Sequence, residues 1–103
     1  MSVRSSDLSA LRRNAGAAAS MLRALANERR LMILCLLIAD EELSAGELAQ
    51  EVGLSQSATS QHLAKMREEG LITFRREAQN IHYRIADPSV KRLIATLKAI
   101  YCD

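Results

Sequence analysis

The chain has 103 residues, 49% hydrophobic but only 3% aromatic, so there is no material for a second domain, and its core must be built from Leu, Ile, Ala and Met, the composition of packed helices rather than of a large sheet. Its 14 Lys and Arg against 12 Asp and Glu give a formal charge of +2 and a pI near 8.8, which permits a polyanionic partner without requiring one. Two cysteines, Cys35 and Cys102, lie far apart and outside any C-x-x-C pair, which excludes a disulfide scaffold and a zinc ribbon.

Charge is unevenly spread. Residues 1–39 sum to +4, residues 40–54 to −5 with no basic side chain, residues 55–85 to +2 and residues 86–103 to +1. The acidic stretch reads as solvated surface that keeps the protein soluble. Met1 to Leu11 has no apolar core of a signal peptide. The most apolar run, Leu31 to Ala39, is about half a membrane span, so a cytoplasmic protein without membrane contact is expected.

In chain order, residues 1–6 are polar and expected to fray. A helical pattern runs from Asp7 to about Ala26, with Leu8, Leu11, Ala15, Ala18, Met21 or Leu22, and Leu25 at three- and four-residue steps, weakened in the middle by Gly16. Asn27 can cap a second helix whose stretch Leu31–Ala39 is apolar on every side, the mark of a central, buried helix. Ser44 and Glu47 form an S-x-x-E capping box for a third helix over 45–52, ended by Gly53. Ala49 and Gly53 are small, as a close crossing by the second helix would require. Leu48, Val52, Leu54, Leu63 and Met66 supply apolar packing between the third and fourth helices.

The fourth helix starts from Ser55 as N-cap, continues to about Glu69, and stops at Gly70 in the left-handed conformation. Leu71 to Glu77 alternates, and Ile81, Tyr83 and Ile85 repeat the period of two across a turn at Ala78-Gln79-Asn80: a small hairpin, or wing. Pro88 opens a last helix with the stripe Val90, Leu93, Ile94, Leu97 and Ile100 or Tyr101. The architecture expected is α1-α2-α3-α4-β1-β2-α5, mostly helical with one hairpin: a winged helix-turn-helix.

In such a motif the second helix enters the DNA major groove and its N-terminal side chains meet base edges. Gln56, Ser57, Ser60 and Gln61 are the expected readers, with Ser55, Thr59, His62 and Lys65 beside them. Gln pairs bidentately with adenine, and hydroxyls serve bases or phosphates. Arg75, Arg76, Gln79 and Asn80 on the wing suit phosphate or minor-groove contact. A wet helix face alone would explain the polar residues; the capping box, the Gly53 turn and the hairpin in this order favour DNA. One such motif makes few contacts, so a C2 dimer on a palindromic operator is expected. The apolar stripes of the first and last helices would form its interface.

The segments Leu22-Arg23-Ala24-Leu25-Ala26-Asn27-Glu28-Arg29-Arg30-Leu31-Met32-Ile33-Leu34, Leu43-Ser44-Ala45-Gly46-Glu47-Leu48, Leu54-Ser55-Gln56-Ser57-Ala58-Thr59-Ser60-Gln61-His62-Leu63 and Gly70-Leu71-Ile72 resemble the ArsR/SmtB family of dimeric winged-helix repressors over nearly the whole chain. The resemblance is greatest to the branch in which two cysteines, rather than a metal, report the sulfur or redox state of the cell. The metal sites of other branches are missing: the third helix has no cysteine and the last has no histidine, and His62 and His82 read as DNA-facing or surface residues. No cofactor is expected.

Taken singly, Cys35 reads as a small buried hydrophobe and Cys102 as an incidental tail thiol. The resemblance implies more: that Cys35 and Cys102 become linked by a disulfide or polysulfide on exposure to reactive sulfur species or oxidants, releasing the operator. Of the two, Cys102, near the chain end, is the expected first site of reaction. Two alternatives stand beside this reading. One is a regulator of the same fold sensing a metal or nothing, with incidental cysteines. The other is a small thiol enzyme, disfavoured because no base is paired with either Cys.

Overall fold

The computed structural model describes residues 4–102, and the fraying expected for residues 1–3 lies outside that range. The order of elements is as expected: α1 Ser5–Leu25, α2 Glu28–Asp40, α3 Ala45–Val52, α4 Gln56–Glu68, β1 Ile72–Glu77, β2 Asn80–Ile85 and α5 Pro88–Tyr101.

Local chemistry accounts for most boundaries. Asn27 accepts a hydrogen bond from the Arg30 N–H and starts α2; Ser55 accepts from the Ala58 N–H and starts α4; Asp87 accepts from the Ser89 N–H ahead of α5. The α3 capping box is complete, with Ser44 Oγ accepting from the Glu47 N–H at 3.1 Å and Glu47 Oε1 from the Ser44 N–H at 2.9 Å. The Ser44 N–H, and after it the Ser44 hydroxyl, favour the ionised Glu47 carboxylate and lower its pKa. Gly53 sits at φ 76° and Gly70 at φ 78°. A Cβ on Gly53 would meet nothing within 4 Å, so its small size serves the left-handed turn and not the close helix crossing expected. The chain leaves α2 through Glu41 at φ 62°, with the Glu42 N–H bonded to the Asp40 carbonyl at 2.6 Å, a tight and strained three-residue turn.

Ile33, Leu34, Leu37, Leu48, Leu63, Met66, Ile72, Val90 and Ile94 form the centre of the core, drawn from α2, α3, α4, the hairpin and α5. Helix α2 is less enclosed than its composition implies, since Met32 is 44% exposed. The hairpin pairs Ile72 with Ile85 through to Glu77 with Asn80, leaving a two-residue turn at Ala78 and Gln79; Asn80 belongs to the strand. Leu43 adds a bridge to Tyr83 on the free side of β2, with bonds of 3.1 and 2.8 Å.

Helix α1 starts two residues before Asp7 and passes through Gly16 without a break. Only its C-terminal end, through Met21, Ala24 and Leu25, reaches the core. The molecule is accordingly elongated, 52 × 30 × 21 Å, with a radius of gyration of 15.6 Å; a compact chain of this size would have about 13 Å. Leu8, Leu11 and Leu22 on α1 and Leu93, Ile100 and Tyr101 on α5 remain exposed. An apolar groove of about 280 Å3 runs between Leu22, Leu25, Leu31, Leu93 and Leu97. Among the described residues no helix is long and apolar enough to cross a membrane.

Candidate nucleic-acid interface and thiol pair

Helix α4 has two unlike sides. Thr59, Leu63 and Met66 are buried, whereas Gln56, Ser57, Ser60, Gln61, Ala64 and Lys65 are exposed and His62 is half-buried. The exposed set contains all four residues expected to read bases. Thr59 does not join them: it is fully buried, and its hydroxyl donates to the Ser55 carbonyl at 2.9 Å. That bond within the helix satisfies the one polar group, so threonine packs as valine would, and its assignment to DNA contact is corrected. Ser55 remains exposed, but its Oγ is occupied as the helix cap.

On the wing, Arg76, Gln79 and Asn80 are exposed. Arg75 is exposed too, but its charge is already matched. Its Nε donates to both Glu42 carboxylate oxygens at 2.9 Å, and its terminal nitrogen donates to Glu77 at 2.6 Å. The bonds to Glu77 and then Glu42 raise the arginine pKa, and Arg75 in turn lowers that of Glu77. Arg75 thus fastens the wing to the α2–α3 loop, and Arg76 carries the freer positive charge.

Two further cations were not foreseen. Arg67 lies over the Phe74 ring, 4.5 Å from its centroid, joining the end of α4 to the wing. Arg84 is exposed on β2, two residues from His82, and the period-two alternation of that strand was the signal for it. Lys65, Arg67 and Arg76 supply cations on α4 and the side of the wing that carries Phe74, whereas Arg84, opposite Thr73, lies on the other side beside Asp40, Glu41 and Glu42.

The two cysteines are free thiols, Cys35 half-buried on α2 and Cys102 exposed at the end of α5. Helices α2 and α5 pack against each other. The Cys102 N–H donates to the Lys98 carbonyl at 2.8 Å, completing the last turn. Burial pushes the Cys35 pKa above its ordinary 9.0, the nearby Cys102 pushes it further, and the Lys98 ammonium opposes both. The two sulfurs therefore share one electrostatic neighbourhood although 67 positions separate them in the chain. Among the described residues no group of three or more His, Cys, Asp or Glu is placed to hold a metal ion.

Five helices and a two-stranded hairpin in this order, with a polar second helix in the helix-turn-helix, define a winged-helix DNA-binding protein. Residues 27–73 match the family model described as bacterial regulatory protein, arsR family. The chain belongs to the ArsR family, and it is a DNA-binding transcriptional regulator rather than an enzyme. It is 51% identical over 96 residues to the HTH-type transcriptional regulator YgaV of Escherichia coli K12, covering 93% of this chain and 97% of that protein. The structure of reduced HlyU from Vibrio cholerae N16961 is similar at a TM-score of 0.83 and 48% identity, over 90% of this chain and 97% of that one. The structure of the transcriptional repressor BigR from Xylella fastidiosa follows at 0.81 and 34%, over 92% and 96%.

Proposed function

We propose that this chain acts in the cytoplasm as a one-domain, homodimeric repressor that reads a palindromic operator with the exposed side of α4 and releases it when Cys35 and Cys102 are joined through sulfur. The two-sided character of α4 carries the first half of the reading. Its buried side fixes the helix on the core, and its outer side offers two glutamines and two serines at the end that enters a major groove. Arg76 offers the wing's free positive charge to the DNA backbone, and the apolar surface of α1 and α5 meets its copy in a second chain. A dimer seated on a promoter blocks it sterically, without any further contact.

The shared neighbourhood of Cys35 and Cys102 supports the second half, as does the likeness to HlyU, a protein whose reduced form has a structure of its own. Cys102 is the open thiol and reacts first. As thiolate it takes the outer sulfur of a persulfide, RSSH, giving Cys102–S–SH and RS−. The Cys35 thiol then attacks the inner sulfur and expels H2S, so that the sulfane sulfur is reduced and the two cysteines are oxidised to a disulfide. A second sulfur transfer before closure leaves a trisulfide. A disulfide draws its two Cα atoms to within about 4.4–6.8 Å. Here that fixes the end of α5, with Ile100 and Tyr101, against α2 and repositions the surface on which the copies meet.

The test is anisotropy of a labelled duplex selected from a random library by the reduced protein. Persulfide should weaken binding, dithiothreitol should restore it, and mass spectrometry should find a Cys35 to Cys102 link. Cys35→Ser and Cys102→Ser should bind as the reduced chain does and ignore the persulfide. A full response from either variant would exclude the dithiol mechanism.

A further inference from the structure

Adjacent arginines at the start of α2 have opposite fates. Arg29 is exposed, whereas Arg30 is 9% exposed and its guanidinium makes three hydrogen bonds. One terminal nitrogen donates to the Ala24 carbonyl at 3.0 Å and to Glu69 Oε2 at 2.7 Å; the other reaches Glu69 Oε1 at 3.4 Å. Ala24 is in the last turn of α1, where carbonyls lack helical partners, and Glu69 is the C-cap of α4. A single side chain rooted in α2 therefore ties the end of the outer helix to the end of the reading helix.

No other side-chain hydrogen bond or ion pair among the described residues reaches α4 from α1 or α2. Arg30 and Glu69 lie in the wall of an open cleft of about 770 Å3 that also has Ser20 and Arg23 of α1 and Lys65 of α4 on its surface. The carboxylate itself is out of place by local rules. A negative charge at the C-terminal end of a helix opposes the macrodipole, and a negative charge on a protein that binds DNA adds repulsion from phosphate. Its partner, not its own helix, explains it.

We propose that Arg30, through Glu69, is the positioning residue of the reading helix: it fixes α4 relative to α1, and so sets the spacing of the two reading helices in the dimer. The inference rests on the dimeric, operator-reading function above. Two half-sites lie about one helical turn apart, and inserting a base pair moves one of them by about 3.4 Å and about a tenth of a turn. A rigid joint makes that insertion costly for binding; a loose one absorbs it.

The deciding variant is Glu69→Gln in the full chain, with Arg30→Met beside it. The probes are the library-selected duplex and the same duplex with one base pair inserted between its half-sites. Removal of a negative charge alone would tighten binding to DNA. Positioning predicts the reverse: Glu69→Gln keeps its helical circular dichroism and dimeric mass, binds the selected duplex about tenfold more weakly, and loses much of the preference for correct spacing, with the salt slope unchanged. Arg30→Met should show the same change more strongly, and if it fails to fold, Glu69→Gln decides alone. A folded Glu69→Gln dimer with affinity and spacing preference equal to or above those of the unaltered chain overturns the proposal. If the unaltered chain binds as a monomer or ignores the insertion, the dimeric reading falls first and this one with it, a result distinguished by the unaltered chain alone.

Discussion

Leu22→Asn isolates the contribution of the outer apolar surface to assembly. In the single chain Leu22 is 60% exposed at the rim of the groove between α1 and α5. Burying a whole leucine is worth about 1.5–3 kcal/mol, so covering this part is worth about 1–2 kcal/mol. In a twofold dimer the residue occurs twice, and the loss becomes about 2–4 kcal/mol, or about 30- to 700-fold in the dimer dissociation constant. Folding of each chain should suffer little, because asparagine in an exposed helix costs only about half a kcal/mol relative to leucine. Sedimentation equilibrium across a concentration series measures the constant, with circular dichroism as the control for folding. A variant that dimerises as tightly as the unaltered chain, or an unaltered chain monomeric at every accessible concentration, would refute the assignment of α1 and α5 to the interface.

Three further outcomes follow from the contacts described. Arg76→Ala should flatten the plot of log affinity against log salt by about 1.8 per dimer, two phosphate contacts at about 0.9 each, whereas Arg75→Ala should leave that slope nearly unchanged. In the Cys102→Ser variant, alkylation of Cys35 by iodoacetamide should still be rising at pH 9, because burial, the first cause of its raised pKa, is intact; Lys98→Met should push the profile higher still. The folded chain holds the Cys35 proton to higher pH than the unfolded one, so this thiol's contribution to stability falls as pH climbs above 9.0. Ser44→Ala removes the acceptor for the Glu47 N–H and should destabilise the chain by about 1 kcal/mol in urea titration, without altering the m-value.

What the sequence made legible was local. Asn27, Ser44 and Ser55 act on N–H groups three residues away, Gly53 and Gly70 answer to their own backbone angles, and the wing alternates along a few residues. What it concealed depends on distant partners. Arg30 looks like one of two surface arginines until Glu69, 39 positions later, is seen beside it. Arg75 looks like a phosphate ligand until Glu42, 33 positions earlier, takes its charge. Thr59 misled for another reason: side-chain polarity says nothing about burial when the hydroxyl can bond its own helix. The nearness of Cys35 and Cys102 was reachable only through resemblance, since nothing in a run of residues states that α2 and α5 lie side by side.

A two-stranded ribbon standing out from a small protein is exposed to a particular accident, the zipping of a stranger's backbone onto an unpaired rim. Here one rim is closed, because the amide and carbonyl of Tyr83 are spent on Leu43. The other rim carries Arg75, Arg76 and Glu77 in succession, and consecutive ionised side chains are poor company for an incoming strand. The same ribbon can therefore be offered to a nucleic acid at its tip while refusing its own kind along its flanks.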